Sequence, residues 1–207
     1  MNRRAMTKLF LAPIALLLML PLSLAGCDSS TVTPAPVETP PLAGSTIGGA
    51  FILADKTGKP VRWEDFAGKY RIVYFGFTFC PDACPTDVAV LMQGLARFEK
   101  AHDAAAANIQ PIFISIDPAR DTPAKVGEFA AAFSPQLLGL TGTAAQVDVA
   151  AKAFKVYYAK GNQSAGGYLM DHSRIAYLMD RDGKPLSMLP VDMGPDAVAA
   201  DLAKWVK

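Results

Sequence analysis

The sequence predicts one α/β domain, with a central mixed β-sheet covered by helices on both faces and a hairpin on its N-terminal side. Three observations support this prediction. Two short runs of aromatic and β-branched residues, at 70–77 and 109–116, have the composition of buried strands. Apolar residues at helical spacing follow these runs. Glycine-containing turn sequences, DKTGK and DRDG, predict a hairpin before and after this alternating part.

In the first half of the domain, the strands at 51–53 and 61–63 flank DKTGK, with Gly58 in the turn. The run YRIVYFGF is a buried strand, and the next element is a helix at 86–101, whose apolar side chains form one stripe. The run IQPIFISI, which follows that helix, is the second buried strand.

The second half starts with a helix that Thr122 is predicted to cap, with Pro123 in its first turn. The predicted elements are, in order, a helix at 122–133, a strand at 137–140, a helix at 143–154, hairpin strands at 174–179 and 185–190, and a closing helix at 195–206. Strand–helix alternation that ends in a hairpin and a last helix is the order of a thioredoxin-like domain.

Residues 1–26 are predicted to be an export signal. A basic start with Arg3, Arg4 and Lys8 precedes an apolar run that is broken by two prolines. This run is short for a membrane-spanning helix, which needs about 20 apolar residues. It ends in LAGC, which resembles the lipobox of bacterial lipoproteins, so we expect cleavage before Cys27 and lipidation of that cysteine. The alternative is an uncleaved anchor with an incidental cysteine, and either one tethers the chain to a membrane.

Residues 27–46 are predicted to be the lipidated cysteine and a tether, and 47–207 the folded domain. Proline, serine and threonine dominate the tether, which therefore cannot form a core. A proline-rich tether of this length lets the domain work about 50 Å from the bilayer. Asp28, directly after Cys27, resembles the inner-membrane retention signal of some Gram-negative lipoproteins. These features predict a lipid-anchored bacterial protein on the periplasmic face of the inner membrane.

The composition of the chain excludes one class of partner. Its 207 residues are 51% hydrophobic and 19% charged, which fits a globular domain with a real core. The net charge of +1 provides no basic surface of the kind that nucleic-acid-binding proteins need. We therefore expect no nucleic-acid partner.

The run FGFTFCPDACPTD holds Cys80 and Cys84. With Cys27 lipidated, these are the only cysteines of the domain, and in an oxidising exported compartment a disulfide is the default. A structural disulfide usually closes a longer loop, because its stabilisation grows with loop length, so we favour a functional pair. The pair is predicted at the end of a strand and the start of a helix, where α/β sheets place their sites and where helix amides lower the pKa of a thiol.

The spacing of the pair leaves two kinds of chemistry open. Helical residues at i and i+4 have β-carbons about 6 Å apart, whereas a disulfide needs about 4 Å. Two thiolates at the wider spacing can hold one soft ion, Cu(I) or Zn(II), and an imidazole is the natural third ligand. Of the two histidines, His102 follows a helix among polar residues and is interpreted as solvated. His172 follows the glycine-containing loop GNQSAGG, and by itself it would be a structural residue more often than a ligand.

Three motifs resemble those of the Sco/SenC family: YFGFTFCPDACPTD, SIDPARDTP and YLMDHSRIAYLMDRDG. They occur in the family's order and cover the chain from about residue 50 to its C-terminus. The resemblance implies one copper ion, Cu(I) or Cu(II), bound by Cys80, Cys84 and His172. It also implies assistance in assembling the CuA centre of cytochrome c oxidase subunit II and, for some members, reduction of the cysteines of that centre. Other periplasmic copper chaperones are further candidate partners.

Four positions near these motifs need separate interpretation. Phe79 stands where many members have a histidine before the first cysteine, so one imidazole beside the site is missing. Asp117 and Asp121 match the DPxRD run of the family and are interpreted as loop-shaping residues. Asp171 is predicted to orient His172 or accept a proton from its second ring nitrogen, with a solvated carboxylate as the alternative.

The sequence thus predicts a membrane-tethered copper chaperone in which the GNQSAGG loop carries His172 on and off the metal. The alternative is a thiol–disulfide oxidoreductase, which needs Cys80 and Cys84 but not His172. A peroxide-reducing enzyme is a third interpretation, but Thr78 lies two residues before Cys80, whereas those enzymes place a threonine three residues before the attacking cysteine. A copper or redox sensor is also compatible with the sequence.

Overall fold

The structure is a computed structural model that describes residues 38–164 and 167–207. The predicted signal at 1–26, the predicted lipidation site Cys27 and the following residues up to 37 lie outside the described residues. Within the described ranges, no helix is both long enough and apolar enough to cross a membrane.

Strands and helices alternate along the described part of the chain. Its strands are β1 (Ile52–Ala54), β2 (Pro60–Arg62), β3 (Tyr70–Gly76), β4 (Ile109–Ser115), β5 (Leu138–Leu140), β6 (Tyr158–Ser164), β7 (Gly167–His172), β8 (Ala176–Met179) and β9 (Pro185–Leu189). Its α-helices are α1 (Ala83–Ala101), α2 (Asp103–Ala106), α3 (Pro123–Phe133), α4 (Ala144–Ala153) and α5 (Pro195–Trp205).

The central sheet has the strand order β5-β4-β3-β8-β9. Strand β4 runs parallel to β3 and β5, whereas β8 runs antiparallel to β3 and β9. Every residue of β3 and β8 is buried, which requires cover on both faces of the sheet. The predicted α/β class, with a mixed sheet covered on both faces, is confirmed.

The predicted N-terminal hairpin is also confirmed. Strands β1 and β2 pair antiparallel, and the turn between them contains Gly58 with a φ of +83°, a conformation that residues with a side chain adopt rarely. The rings of Phe51 and Trp63, which flank the hairpin, lie 5.4 Å apart. Trp63 and Phe75 each contact Phe154 at 5.4 Å. This aromatic cluster fixes the hairpin and the end of α4 against β3.

Helix α1 begins at Ala83 rather than at the predicted residue 86. Pro85 does not prevent this, because a proline in the first helical turn removes no intrahelical hydrogen bond. The earlier start places Cys84 inside the first turn of the helix.

The prediction that GNQSAGG is a loop before His172 is wrong for the residues that the structure describes. These residues belong to β6 and β7, which pair antiparallel from Tyr158↔His172 to Ser164↔Gly167 with a register shift between Lys160 and Gln163. His172 therefore reaches the site at the end of a paired strand. Because β7 is held by β6, the imidazole has a defined position.

The folded domain begins before residue 47. The amide of Leu42 donates to the carbonyl oxygen of Leu186 at 3.0 Å, and Leu42 and Ile47 pack against the core. Glu38 pairs with Lys204. The tether predicted for 27–46 therefore ends earlier, since the apolar side chain of Leu42 is already part of the domain.

Candidate metal centre

The two cysteines lie where the chain passes from β3 into α1. Cys80 is half-buried in the connecting loop, and Cys84 is fully buried in the first helical turn. The backbone amide of Cys84 donates to Sγ of Cys80 at 3.3 Å. Both residues are free thiols, so an incoming partner meets the sulfur of Cys80 first.

His172, the last residue of β7, lies against the buried cysteine. Its Nε2 is 3.4 Å from Sγ of Cys84, and its Nδ1 is 3.0 Å from the carbonyl oxygen of Ser173. Because a carbonyl oxygen only accepts hydrogen bonds, Nδ1 carries the proton and Nε2 presents its lone pair to the sulfur. This is the tautomer that binds a metal through Nε2.

Two aromatic rings hold the imidazole from the sides. The rings of Tyr74 and Phe77 lie nearly perpendicular to that of His172, at centroid distances of 6.4 Å and 6.0 Å and interplanar angles of 87° and 88°. Burial lowers the pKa of His172, and the hydrogen bond to Ser173 only partly offsets this effect. The neutral imidazole, which is the metal-binding form, is therefore favoured.

The thiol of Cys84 behaves differently from the sequence prediction. The position at the start of α1 predicted a lowered pKa, but burial raises the pKa of Cys84, and a backbone hydrogen bond to Phe77 offsets this only in part. The helix amides do not compensate for the loss of water around a fully buried sulfur. Cys84 therefore keeps its proton in the metal-free protein until a cation replaces it.

The three predicted ligand side chains supply two sulfurs and one ring nitrogen. Within 38–164 and 167–207, no three His, Cys, Asp or Glu side chains already form a group arranged to hold a metal. Cys84 and His172 are in contact, while Sγ of Cys80 accepts from the helix amide. The donor chemistry fits a soft ion such as Cu(I), because it combines thiolates with an imidazole and lacks carboxylates.

Asp171 does not hold the second ring nitrogen of His172, because the carbonyl oxygen of Ser173 occupies that position. Neighbouring residues of a strand point to opposite faces, and Asp171 is exposed to solvent. Its remaining influence on His172 is a minor electrostatic one.

His102 lies exposed at the end of α1, where its ring stacks on Phe98 at 4.7 Å.

Asp121 shapes the loop that carries Cys80, as predicted. One of its oxygens, Oδ2, accepts from the amide of Thr78 at 2.9 Å and from the hydroxyl of Ser115 at 2.5 Å. The other, Oδ1, accepts from the hydroxyl of Thr78 at 2.6 Å. These bonds join the loop after β3 to the end of β4. The C-terminal ends of the two strands are therefore held together at the edge of the sheet where the cysteines lie.

Asp117 and Arg120 connect the same edge to the β6–β7 hairpin. Asp117 accepts from Nε of Arg120 at 2.5 Å and from the hydroxyl of Tyr168 at 2.8 Å. The guanidinium of Arg120 lies over the rings of Tyr168 and Phe79 at 3.6 Å and 4.8 Å, and it donates to the carbonyl oxygen of Tyr168 at 2.7 Å. Arg120 and Tyr168 were not identified from the sequence, although both lie within the recognised motifs.

A free cysteine in the loop after β3 and a second in the first turn of α1, with a histidine against the buried one, define a thioredoxin-like protein with a paired thiol site. Comparison with known proteins gives the family. The sequence profile of the SCO1/SenC family matches residues 39–207, and the chain belongs to that family.

Relatives of known name and structure agree with this assignment. Protein SenC of Rhodobacter capsulatus is 42% identical over 160 residues, which are 76% of this chain and 69% of SenC. The structure of Bradyrhizobium japonicum ScoI with copper bound is 39% identical, with a TM-score of 0.69 over 77% of this chain and 99% of that chain.

A more distant solved relative is BsSco, a member of the Sco family of cytochrome c oxidase assembly proteins in which a disulfide switch was identified. It is 25% identical, with a TM-score of 0.58 over 83% of this chain and 99% of that chain. The chain spans about half the length of two mitochondrial relatives that it matches, 42% of SCO1 homolog 1 of Arabidopsis thaliana and 53% of the human SCO1 homolog.

Proposed function

We propose that the protein is a copper chaperone that binds one copper ion through Cys80, Cys84 and His172. The observation that carries the proposal is the 3.4 Å approach of the His172 Nε2 to the Cys84 Sγ, with the proton of the ring held on Nδ1 by Ser173. A histidine in this tautomer offers its lone pair beside a buried thiol. Relatives with copper bound support the choice of metal.

Binding of Cu(I) exchanges protons for the metal. The ion displaces one proton from each thiol, two thiolates and one neutral imidazole share it, and two protons pass to solvent. Burial raises the pKa of Cys84, so the proton on this sulfur leaves only when the cation takes its place. Cys80, which is partly exposed, is the ligand that a receiving protein can replace first.

The acceptor that we propose is the CuA centre of cytochrome c oxidase subunit II. A soft ion moves between proteins when incoming thiolates replace its ligands one at a time, and the exposed side of Cys80 permits such an approach. Membership in a family whose members include cytochrome c oxidase assembly proteins supports the oxidase as the destination. Other periplasmic copper chaperones are the proposed source of the ion.

Anaerobic titration of the reduced protein with Cu(I), in the presence of a competing chelator, tests the proposal. We expect one tightly bound ion, and loss of tight binding in Cys80→Ser and Cys84→Ser. Cys27→Ser is the matched control, since it is also a cysteine-to-serine substitution but lies outside the proposed ligand set, and it should leave the stoichiometry unchanged. A stoichiometry near zero, or wild-type affinity in Cys80→Ser, would contradict the proposal.

A second candidate function is reduction of a disulfide in the oxidase partner. The asymmetry of the pair favours it, because Cys80 is accessible for attack whereas Cys84 is buried behind it. The Cys80 thiolate would attack the partner's disulfide to form a mixed disulfide, and the Cys84 thiolate would then displace the partner. The products are a partner dithiol and a Cys80–Cys84 disulfide. The disulfide switch of BsSco is consistent with this chemistry.

The His172→Ala variant separates the two functions. Its disulfide exchange with a small disulfide such as oxidised glutathione should continue, while its copper affinity should fall. Equal loss of both activities would show that the two cannot be separated through His172.

We further propose that lipid on Cys27 anchors the protein to the periplasmic face of the inner membrane. The LAGC sequence supports this proposal. Metabolic labelling with a fatty acid should mark the wild-type protein but not Cys27→Ser. Labelling of both, or of neither, would contradict a lipid anchor at this residue.

A further inference from the structure

We propose that Asp87 and Arg174 form a clamp that positions His172 against Cys84. The proposal rests on the proposed copper site and assigns the residues that set its geometry. Neither residue is a ligand in that site, and both act through the segments that carry the ligands. Both are therefore positioning residues.

In the clamp, the buried carboxylate of Asp87 accepts hydrogen bonds from both Arg174 and Tyr74. Arg174 donates from Nη2 to Oδ1 of Asp87 at 2.6 Å and from Nε to Oδ2 at 3.0 Å. The hydroxyl of Tyr74, in β3, donates to the same Oδ2 at 2.8 Å. The side chain of Asp87 is only 2% exposed, whereas that of Arg174 is 52% exposed. The bidentate geometry fixes the guanidinium in one orientation.

The placement of the two residues gives the clamp its effect. Asp87 lies one helical turn after Cys84 in α1, and Arg174 lies two residues after His172, beyond the end of β7. The two partners are 87 positions apart in the sequence. Their bond therefore ties the helix with the buried cysteine to the segment with the histidine. Tyr74 contacts both the carboxylate and the histidine, because its ring also lies perpendicular to the imidazole at a centroid distance of 6.4 Å.

Other contacts along β7 do not replace this connection. Arg120 and Asp117 hold Tyr168, near the opposite end of the strand from His172. Next to His172, the amide of Ser173 donates to the carbonyl oxygen of Tyr157 in the same hairpin region. The bond between Arg174 and Asp87 crosses directly from this region to α1. Removing it frees the histidine end of β7 to shift relative to Cys84.

Arg174→Met is the test, with Arg97→Met as the matched control. Each substitution removes an arginine that forms an ion pair with an aspartate. Arg174 pairs with the buried Asp87 in α1, whereas Arg97, in α1, pairs with Asp196 of α5 on the surface. Arg174→Met leaves the buried carboxylate of Asp87 with only its hydrogen bond from Tyr74, so circular dichroism first checks that the variant is folded. We expect Arg174→Met to lower copper affinity about 10- to 100-fold, the usual effect of removing a residue that orients a ligand. Arg97→Met should bind copper like wild type.

A second readout follows the histidine without metal. In ¹⁵N-histidine spectra of the metal-free protein, wild type and Arg97→Met should show the proton of His172 on Nδ1. Arg174→Met should keep the proton on Nδ1, because Ser173 remains its acceptor, but the Nε2 signal should shift, since Nε2 no longer has the Cys84 sulfur as a fixed neighbour. Loss of affinity without any change in these signals would overturn the clamp, and so would wild-type behaviour in both measurements.

Arg174→Lys separates geometry from charge. Lysine keeps the positive charge but cannot grip both carboxylate oxygens, so the clamp predicts that Arg174→Lys resembles Arg174→Met. Wild-type affinity and signals in Arg174→Lys would overturn the clamp and assign the effect to charge alone. If the wild-type protein itself bound no copper, the proposed function would fail, while the metal-free histidine signals would still decide the clamp.

Discussion

Replacing Asp121 with alanine tests how the loop with Cys80 is held. Its carboxylate accepts three hydrogen bonds, two from Thr78 and one from Ser115, at 2.5–2.9 Å. A hydrogen bond to a charged group contributes about 1.5–3 kcal/mol, and the three are not additive because they share one carboxylate. We expect Asp121→Ala to lower the free energy of unfolding by about 3–5 kcal/mol, which is a fall in Tm of about 10 °C for a domain of this size.

Urea unfolding of the reduced, metal-free protein measures this loss. Asp121→Asn, which keeps one acceptor oxygen, should lose only about 1–2 kcal/mol. Asp196→Ala is the control, because the side chain of Asp196 is 92% exposed in a surface ion pair, and such pairs contribute about 0–1 kcal/mol. A loss below about 1 kcal/mol in Asp121→Ala would refute the assignment of Asp121 as the residue that holds this loop.

Other variants probe the surroundings of Cys84 and the β6–β7 hairpin. Burial raises the pKa of Cys84 above its ordinary 9.0, so the thiol ionises more readily in the unfolded chain, and the free energy of unfolding should fall as pH rises through about 9–10. Cys84→Ala should lack this fall. The same dependence of stability on pH in wild type and variant would contradict the prediction. In Gly76→Ala, the added Cβ would lie 3.1 Å from Sγ of Cys84 and 2.9 Å from the Phe113 ring. We expect the free energy of unfolding to fall by about 1–3 kcal/mol and copper binding to weaken. Wild-type values for both would show that the neighbouring side chains move aside without cost. Arg120→Ala should speed hydrogen exchange at β6 and β7 amides but not at β3 amides, and unchanged exchange would mean that the hairpin is held elsewhere.

The central sheet could be predicted from the sequence because its strands are buried on both faces. Such strands appear as continuous apolar runs, and YRIVYFGF and IQPIFISI are runs of this kind. The β6–β7 hairpin could not be predicted in the same way. Strand β6 has the sequence YAKGNQS, with neither alternation nor a run of branched residues. Part of what holds the hairpin is Arg120, which contacts it from the loop after β4.

The residues of the candidate site could be predicted from the sequence, but the direction of the pKa shift of Cys84 could not. Motif resemblance identified Cys80, Cys84 and His172, and the structure brings them to one edge of the sheet. The raised pKa of Cys84 depends on complete burial, which the sequence pattern did not reveal because position in a helix and depth in a core are separate properties. The bond between Asp87 and Arg174 was missed for a similar reason, since only the folded chain brings the two residues together.

X-ray absorption at the copper edge, measured on the reduced protein loaded with Cu(I), tests the proposed ligand set most directly. We predict two sulfur neighbours and one imidazole nitrogen for the wild-type protein. His172→Ala should keep both sulfurs and lose the imidazole, while the control His102→Ala should match wild type. A wild-type spectrum without an imidazole, or one that His172→Ala leaves unchanged, would contradict the assignment of Cys80, Cys84 and His172 as the copper ligands.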